Sequence, residues 1–371
     1  MSRVDHTQRK VPLSYRLHID LPLLTGLFLL SLFGLLVIYS AGGEDIDMLS
    51  RQFIRVSIAF TVLFIAAQTP PHWLKIITFW LFVIGLLMLF AVPFIGETHK
   101  GAQRWLNFGV ILIQPSEMMK LIIPMMVAAY LSEMRLPPTP KHQAIAALLI
   151  IVPVLLIAKQ PDLGTSLLIA SSGFFVLFLA GISWRIIGGM VLSSAALLPL
   201  LWFYLMKPYQ KQRVLTFLNP ESDPRGTGYH IIQSKIAIGS GGGFGKGWLN
   251  GTQSQLEFLP ERHTDFIFAV LAEEFGLLGV LILFGLYLFI IFRGLYIASQ
   301  AQETYTRLLA GGITMIFFTY FMVNVGMVSG LLPVVGLPLP MVSYGGTSMV
   351  TIMAAFGILM SIHTHRRLLN K

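Results

Sequence analysis

The strongest constraint on this chain is a series of long apolar segments that recurs from one end to the other. A helix needs about 20 mostly apolar residues to cross a membrane. Of the 371 residues, 55% are hydrophobic and 12% are charged, against roughly 25% charged in soluble domains. A single soluble core of this length cannot bury so much apolar surface. Ten segments are candidate spans: 21–41, 53–67, 74–95, 117–133, 143–158, 164–181, 184–206, 266–292, 308–330 and 341–362.

The predicted fold is therefore an all-α polytopic membrane protein, with one transmembrane domain over residues 1–371. The first apolar segment has no cleavage site of small residues, so we expect it to be a retained span. An even number of spans puts both termini on one side. The basic residues favour a cytoplasmic location for the tails 1–20 and 363–371. The short outer loops and their flanks then hold few Lys and Arg residues: Arg51, Arg55, Lys100, Arg104 and Lys159.

This orientation places a long loop, residues 207–265, outside the cell between the seventh and eighth spans. Loops of this length are usually functional. The segment 229–238 has apolar residues spaced as in a short helix at the membrane interface. The glycine-rich stretch GSGGGFGKG at 239–247 resembles a phosphate-binding loop, but Ser240 and Gly247 stand where that motif needs Gly and Ser or Thr. We therefore do not expect a nucleotide site there.

Composition excludes several classes of protein. The chain has no cysteine, which excludes disulfides, thiolate metal sites and thiol nucleophiles. The net charge of +9 fits basic side chains at membrane edges, where they meet lipid headgroups. Because no basic run with interleaved aromatic residues occurs, we expect no nucleic-acid partner.

Charged residues inside the predicted spans are the candidates for function, because such groups are costly in a bilayer. Glu117 and Lys120 are three residues apart and share one helix face. They form either a structural ion pair or part of a site. Glu273 and Glu274 are neighbours, so they cannot both line one cavity closely. For them, protonation or bonding within the helix is the simpler interpretation.

Two aspartates lie at the starts of predicted spans. Asp265, where the long loop meets the eighth span, can act as a general base at the membrane surface or as a helix N-cap. Asp162, before the sixth span, also has the N-cap alternative. Arg104, Lys235 and Arg262 are outer cations that either hold a pyrophosphate or anchor the chain to lipid phosphates.

Motifs along nearly the whole chain carry a family resemblance. They resemble the SEDS family (shape, elongation, division and sporulation), and its rod-shape members more than its division members. The motifs are KGAQRW at 100–105, QPSE at 114–117, QPDLGT at 160–165, QSKIAIGSGG at 233–242, FLPERHTDFIF at 258–268 and PLPMVSYGG at 338–346.

The resemblance implies ten spans with both termini cytoplasmic. It implies a glycosyltransferase that polymerises lipid II into β-1,4-linked glycan at the outer face of the bacterial plasma membrane during cell elongation. Its essential acid falls on Asp265 and its charged pair on Glu117 and Lys120. We expect Arg104, Lys235, Arg262, His263 and Asp162 to support the substrate or its pyrophosphate.

The implied partners are a class B penicillin-binding protein, other membrane proteins of the elongation complex and membrane lipid. A divalent cation, Mg²⁺ or Mn²⁺, stays an open cofactor, and no metal ligand is assigned. Two alternatives also stay open. A lipid II flippase would share the intramembrane charges and irregular spans, and a non-catalytic scaffold of the elongation complex would not depend on Asp265.

Overall fold

The computed structural model describes residues 17–99, 102–107, 109, 112–160, 162–206, 208–223, 226–256, 258, 259 and 261–365. Residues 1–16 and 366–371 of the predicted tails lie outside them. The helices longer than five residues are α1 Leu21–Ala41, α2 Ile46–Gln68, α3 Pro71–Ile95, α4 Pro115–Ser132, α5 Pro140–Lys159, α6 Leu163–Leu179, α7 Trp184–Leu200, α8 Pro208–Leu218, α9 Thr227–Gly241, α11 Ile267–Gln300, α12 Thr304–Val328 and α13 Thr347–Thr364, and α10 is the short helix Thr252–Gln255.

A helix occupies each of the ten predicted spans, and the polytopic helical fold is confirmed. Eight of these helices in the described residues are long and apolar enough to cross a membrane, while α6 is shorter and α4 carries Glu117 and Lys120. The number of ten spans stays a prediction. The second span begins at Ile46, earlier than predicted, and α13 begins only at Thr347 because residues 341–346 form turns.

A small sheet between α3 and α4 is absent from the sequence prediction. Its strands are β1 Glu97–His99, β2 Ala102–Asn107 and β3 Leu112–Ile113. They pair antiparallel in the order β1-β2-β3, and Leu106 lies opposite Ile113. The sheet lies against the end of α3 and carries Arg104, so it positions one predicted site residue.

The centre of the bundle is formed by α12, which packs against α4, α6 and α11, while α13 packs along α2. Aromatic rings fill the layer between α11 and α12. Tyr287 stacks on Phe321 with 4.2 Å between ring centroids. The Tyr287 hydroxyl donates to the Pro340 carbonyl at 2.5 Å, which satisfies a buried polar group and fixes the segment before α13.

Helix α11 is interrupted at Gly276, whose φ of 62° and ψ of −157° are not helical. The glycine-rich stretch 239–247 pairs with the backbone groups that the break leaves without helical partners. The amides of Lys246 and Gly247 donate to the carbonyls of Glu273 and Glu274, each at 3.0 Å. The amides of Leu277 and Leu278 in turn donate to the carbonyls of residues 242 and 243 at 2.9 and 3.1 Å. Because unpaired backbone groups are costly at membrane depth, this pairing explains the glycines.

The loop 207–265 is largely structured. It contains α8, a short 3₁₀ turn at Pro220–Ser222, α9 and α10. The predicted short helix at 229–238 is confirmed, because α9 spans Thr227–Gly241. The length and composition of α9 suit the membrane interface, and its outer location remains a prediction.

Candidate active site

A cavity of about 210 Å³ opens where the ends of α4, α6 and α13 meet the segment 336–338. It gathers four of the eight predicted site residues, and two of the four are cations and two are carboxylates. Its described lining is Arg104, Gln114, Glu117, Lys120, Asp162, Thr165, Gly336, Leu337, Pro338, Gly345, Gly346, Thr347 and Ser348.

One wall of the cavity is the pair Arg104 and Asp162. Strand β2 carries Arg104, whose Nη1 lies 3.4 Å from Asp162 Oδ2 and whose Nε donates to the Gln160 carbonyl at 3.3 Å. Asp162 also accepts from the Thr165 amide at 3.3 Å and is the N-cap of α6, so that interpretation is confirmed. The cap holds the carboxylate rigidly, and the carboxylate in turn orients the guanidinium at the cavity.

The second wall is the pair Glu117 and Lys120 in the first turns of α4. Lys120 Nζ lies 2.6 Å from Glu117 Oε1, and it also donates to the Tyr320 hydroxyl on α12. Both residues are buried, and Oε2 of Glu117 is a buried oxygen without a hydrogen-bond donor. The ion pair predicted from the three-residue spacing is confirmed. Since an unsatisfied buried carboxylate oxygen is costly, this wall is suited to receive a donor from a ligand.

Asp265 lies in the turn of residues 261–266 that precedes α11. Phe266, not Asp265, is the N-cap of this helix, and no side chain caps it, so the capping interpretation of Asp265 is wrong. A Cβ added to Gly336 would lie 3.4 Å from Asp265 Oδ2. Asp265 is not among the described residues that line the cavity, but Gly336 is, so the Asp265 carboxylate lies next to one lining residue.

Hydrogen bonds from two elements, α12 and the segment 338–346, fix this turn. Asn324 of α12 donates to the carbonyls of Asp265 and Leu337 at 3.0 and 2.7 Å. Ser343 Oγ donates to the Thr264 carbonyl at 2.6 Å. These bonds make the position of the Asp265 backbone a consequence of the packing of α12 and of the 338–346 segment, which suits a precise reactive group.

Like Asp265, the predicted site residues Lys235, Arg262 and His263 are not among the described residues that line the cavity. Lys235 lies on the exposed side of α9 near Gly330. Arg262 donates to the Ser254 carbonyl and thereby ties the Asp265 turn to α10. The His263 ring meets Tyr344 edge-on at 5.9 Å. Arg262 and His263 therefore support the turn, and Lys235 lies apart from it.

Sequence reasoning missed several polar residues that contact the cavity residues or lie beside them. Tyr320 is buried in the middle of α12, and no local pattern distinguishes it from a core aromatic residue. Tyr344 lies in the PLPMVSYGG motif, which assigns it no role, and the sequence indicates only an outer location for Arg55. Arg55 Cζ lies 4.4 Å from the centre of the Tyr344 ring. Only the packing of the 338–346 segment against α2 reveals this contact.

No group of three or more His, Cys, Asp or Glu residues that could hold a metal occurs in the described part of the chain. The two cavity carboxylates, Glu117 and Asp162, each face a cation. A divalent ion here would take most of its ligands from substrate phosphates and water, as Mg²⁺ often does. The residues therefore do not form a protein metal cage.

Comparison with known proteins agrees with this fold and site. The model of the cell cycle protein family that bears the names FtsW, RodA and SpoVE matches residues 21–368. The peptidoglycan glycosyltransferase MrdB of Escherichia coli K12 is 56% identical over 96% of both chains. The peptidoglycan glycosyltransferase RodA of Treponema pallidum is 32% identical over 94% of this chain and 98% of its own.

Two solved structures share the architecture. A chain of a peptidoglycan synthase complex that coordinates polymerization and crosslinking superposes with a TM-score of 0.82 at 32% identity, covering 94% of this chain and 99% of its own. The rod shape determining protein RodA of Thermus thermophilus has a TM-score of 0.70 at 28% identity, covering 93% and 96%.

The chain is thus a multi-pass helical membrane protein of the bacterial cell envelope with a charged cavity at the ends of its helices. It belongs to the FtsW, RodA and SpoVE family, and the resemblance to rod-shape members that the motifs carry is confirmed. The family and its relatives place it in the bacterial inner membrane.

Proposed function

We propose that this chain is a peptidoglycan glycosyltransferase that polymerises lipid II during cell elongation, with Asp265 as general base. The observation that carries the proposal is the position of the Asp265 carboxylate next to Gly336, which lines the same cavity as Arg104 and Lys120. The names of the relatives support the activity, since MrdB and RodA are peptidoglycan glycosyltransferases.

The reaction joins two sugars, both of which are linked through pyrophosphate to a polyprenyl tail. Asp265 accepts the proton of the acceptor GlcNAc 4-hydroxyl, and that oxygen attacks the anomeric carbon of MurNAc on the growing chain. The bond from that carbon to the pyrophosphate oxygen breaks, and undecaprenyl pyrophosphate leaves with the electron pair. Attack from the opposite face inverts the centre and gives the β-1,4 link.

The leaving group needs charge stabilisation more than it needs an acid. Cations fixed in a cavity that excludes water stabilise developing negative charge strongly, because they do not reorganise during the reaction. Lys120 is buried and held by Glu117 and the Tyr320 hydroxyl, and Arg104 is held by Asp162. We assign the departing pyrophosphate to these two cations.

The proposed location is the outer face of the membrane, where the loop 207–265 and Asp265 meet lipid-linked sugars. One solved relative is part of a complex that couples polymerization to crosslinking. We therefore propose a class B penicillin-binding protein as the partner that crosslinks the new glycan, together with other membrane proteins of the elongation complex.

The test is polymerisation of lipid II by the purified full-length chain with its partner in detergent, where no second compartment exists. Asp265→Asn should lower the rate on the order of 10²-fold or more, as the loss of a general base does. Glu303→Gln, a carboxylate in the exposed turn before α12, is the matched control and should keep the wild-type rate.

Normal polymer from Asp265→Asn would remove the base assignment. A wild-type chain that forms no polymer but moves lipid II across vesicles would favour the flippase. Normal rod shape in cells that carry Asp265→Ala at wild-type protein levels would favour the scaffold.

A further inference from the structure

A pair of arginines lies beside the cavity on α2. Arg51 and Arg55 are one turn apart, where two like charges repel each other. Asp45 Oδ2 lies 3.9 Å from Arg51 Nη2 with both side chains exposed, so it offsets little of this charge. Arg55 has no carboxylate within 4 Å among the described residues. The pair therefore carries excess positive charge that these contacts do not explain.

Both arginines converge on Tyr344. Arg51 Nε donates to the Tyr344 hydroxyl at 3.4 Å, and the guanidinium of Arg55 lies over the ring. Burial opposes ionisation of Tyr344, but the hydrogen bonds and charges of Arg51 and Arg55 outweigh it and lower the pKa of this hydroxyl. An acidified hydroxyl beside two guanidinium groups is a strong set of donors for a phosphate.

The arginine pair has a fixed position relative to the proposed base. The Tyr344 amide donates to the His263 carbonyl at 2.8 Å, two residues before Asp265. A Cβ added to Gly346 would lie 3.4 Å from Arg55 Cδ, and Gly346 lines the cavity. Arg55 therefore lies next to Gly346, a lining residue of the cavity, whereas Arg104 and Lys120 line the cavity themselves.

The two sets of cations differ in charge balance and burial. Arg104 and Lys120 each have a carboxylate partner, and Lys120 is 4% exposed. Arg51 has a side chain that is 55% exposed. A buried cation held by its partners acts strongly on charge that develops in a transition state, whereas a contact made equally in the ground state and the transition state affects substrate affinity and leaves the maximal rate unchanged.

The proposed reaction needs one site for the pyrophosphate that departs and another for the pyrophosphate that stays on the acceptor. Two lipid-linked sugars meet at one carboxylate, one pyrophosphate departs, and the other stays attached to the acceptor. We propose that Arg51 and Arg55, with the Tyr344 hydroxyl, form a second pyrophosphate subsite that holds the acceptor lipid. This proposal rests on the proposed function, and it assigns the retained pyrophosphate to the arginine pair and the departing one to Arg104 and Lys120.

The polyprenyl tail of that acceptor has a place to lie. Ile54 and Ile58, on the flank of α2 next to the arginine pair, are 58% and 51% exposed. Their exposure on a helix that is apolar enough to span a membrane gives the tail direct contact with the bilayer beneath the arginines.

The kinetic test uses the full-length chain in an uncharged detergent with increasing lipid II. Arg51→Gln and Arg55→Gln should each raise the half-saturating lipid II concentration about tenfold, the loss expected for one charge-assisted contact. The maximal rate should stay within about threefold, because the leaving-group cations are intact. Arg185→Gln, which removes an exposed charge on α7, should change neither quantity. An unchanged half-saturating concentration, or a loss confined to the maximal rate, would overturn the subsite.

A binding test separates this proposal from the activity itself. Fluorescent lipid II is titrated against the full-length Asp265→Asn chain with and without Arg55→Gln. Weaker binding in the double variant supports the subsite even if the wild-type chain forms no polymer, and equal binding overturns it even if polymer forms. The titration is repeated in phosphatidylcholine vesicles with and without phosphatidylglycerol. If the Arg55→Gln defect appears only with phosphatidylglycerol, the pair binds bulk lipid headgroups and the subsite is wrong.

Discussion

Two buried glutamates in this chain each pair with a lysine at almost the same distance but in different surroundings. Glu117 and Lys120 are 2.6 Å apart, and Glu273 and Lys246 are 2.7 Å apart. Glu273 also accepts from the Thr252 hydroxyl at 3.1 Å and from the amides of Gln253 and Ser254 at 3.0 and 3.3 Å. Glu117 instead leaves Oε2 without a donor and faces the cavity.

The two glutamates differ in how many hydrogen bonds their carboxylates accept from within the protein. Both glutamates are costly to bury at membrane depth. The cost at Glu273 is offset within the protein, because its carboxylate joins the glycine-rich stretch to α10 and both to α11. The cost at Glu117 is only partly offset by Lys120, which leaves capacity for a ligand. The two glutamates are therefore distinguished by the number of hydrogen-bond donors that each carboxylate has within the protein, and not by burial alone.

The largest expected effect comes from removing the structural carboxylate. Glu273→Leu leaves Lys246, Thr252 and two backbone amides without their acceptor. Loss of several such bonds at a buried carboxylate should lower the free energy of unfolding by about 4 kcal/mol. Thermal unfolding of the purified full-length chain in detergent measures this loss. Glu303→Leu, at an exposed glutamate, is the control and should change stability by less than about 0.5 kcal/mol. Equal unfolding of the two variants would contradict the structural role.

The next largest effect is on the rate of lipid II polymerisation, and it distinguishes the pair Glu117–Lys120 from the pair Glu273–Lys246. The double change Glu117→Gln and Lys120→Met replaces the ion pair by uncharged side chains of similar size. Such replacements are often neutral for stability, so unfolding should stay within about 1 kcal/mol of wild type. Polymerisation should fall on the order of 10²-fold, or about 2.7 kcal/mol of barrier, because Lys120 no longer stabilises the leaving group.

The matched double change Glu273→Gln and Lys246→Met should give the opposite pattern, with a clear loss of stability. Lipid II polymerisation and thermal unfolding of both doubles on the same preparations make the comparison. A cavity double that polymerises normally, or one that unfolds as easily as the other double, would break the distinction drawn between the two pairs.

The helices follow from the sequence because apolar length is a local property, which each segment carries by itself. The Glu117–Lys120 pair was predicted for the same reason, since two positions three apart on one helix must meet. The role of Asp265 as a cap was wrong, because the helix begins two residues later than Asp265. Where the first turn forms depends on bonds from Asn324 and Ser343, which lie far away in the chain.

The features that the sequence did not predict depend on contacts between distant parts of the chain. The strands β1 and β3 are three and two residues long, too short for a pattern of alternation. The break at Gly276 lies in a long apolar run, and only its partner stretch 239–247 shows why the helix is interrupted. Arg55 lies over the ring of Tyr344, almost 300 residues further along the chain, and no spacing rule joins the two.

The smallest expected effect tests the backbone pairing between the break in α11 at Gly276 and the glycine-rich stretch 239–247. Gly276→Ala adds a Cβ that would lie 2.3 Å from the Gly245 amide nitrogen, at a positive φ that L residues rarely adopt. Backbone strain of this kind costs about 2 kcal/mol. Gly285→Ala, on the same helix, adds a Cβ with nothing within 4 Å and should be neutral or stabilising by up to about 1 kcal/mol. Thermal unfolding of both variants in detergent measures the difference. If Gly276→Ala is as stable as Gly285→Ala, the non-helical conformation at Gly276 is not required for the stability of the protein. Glu273 would then contribute to stability through the hydrogen bonds of its carboxylate, and not through the backbone pairing of the glycine-rich stretch.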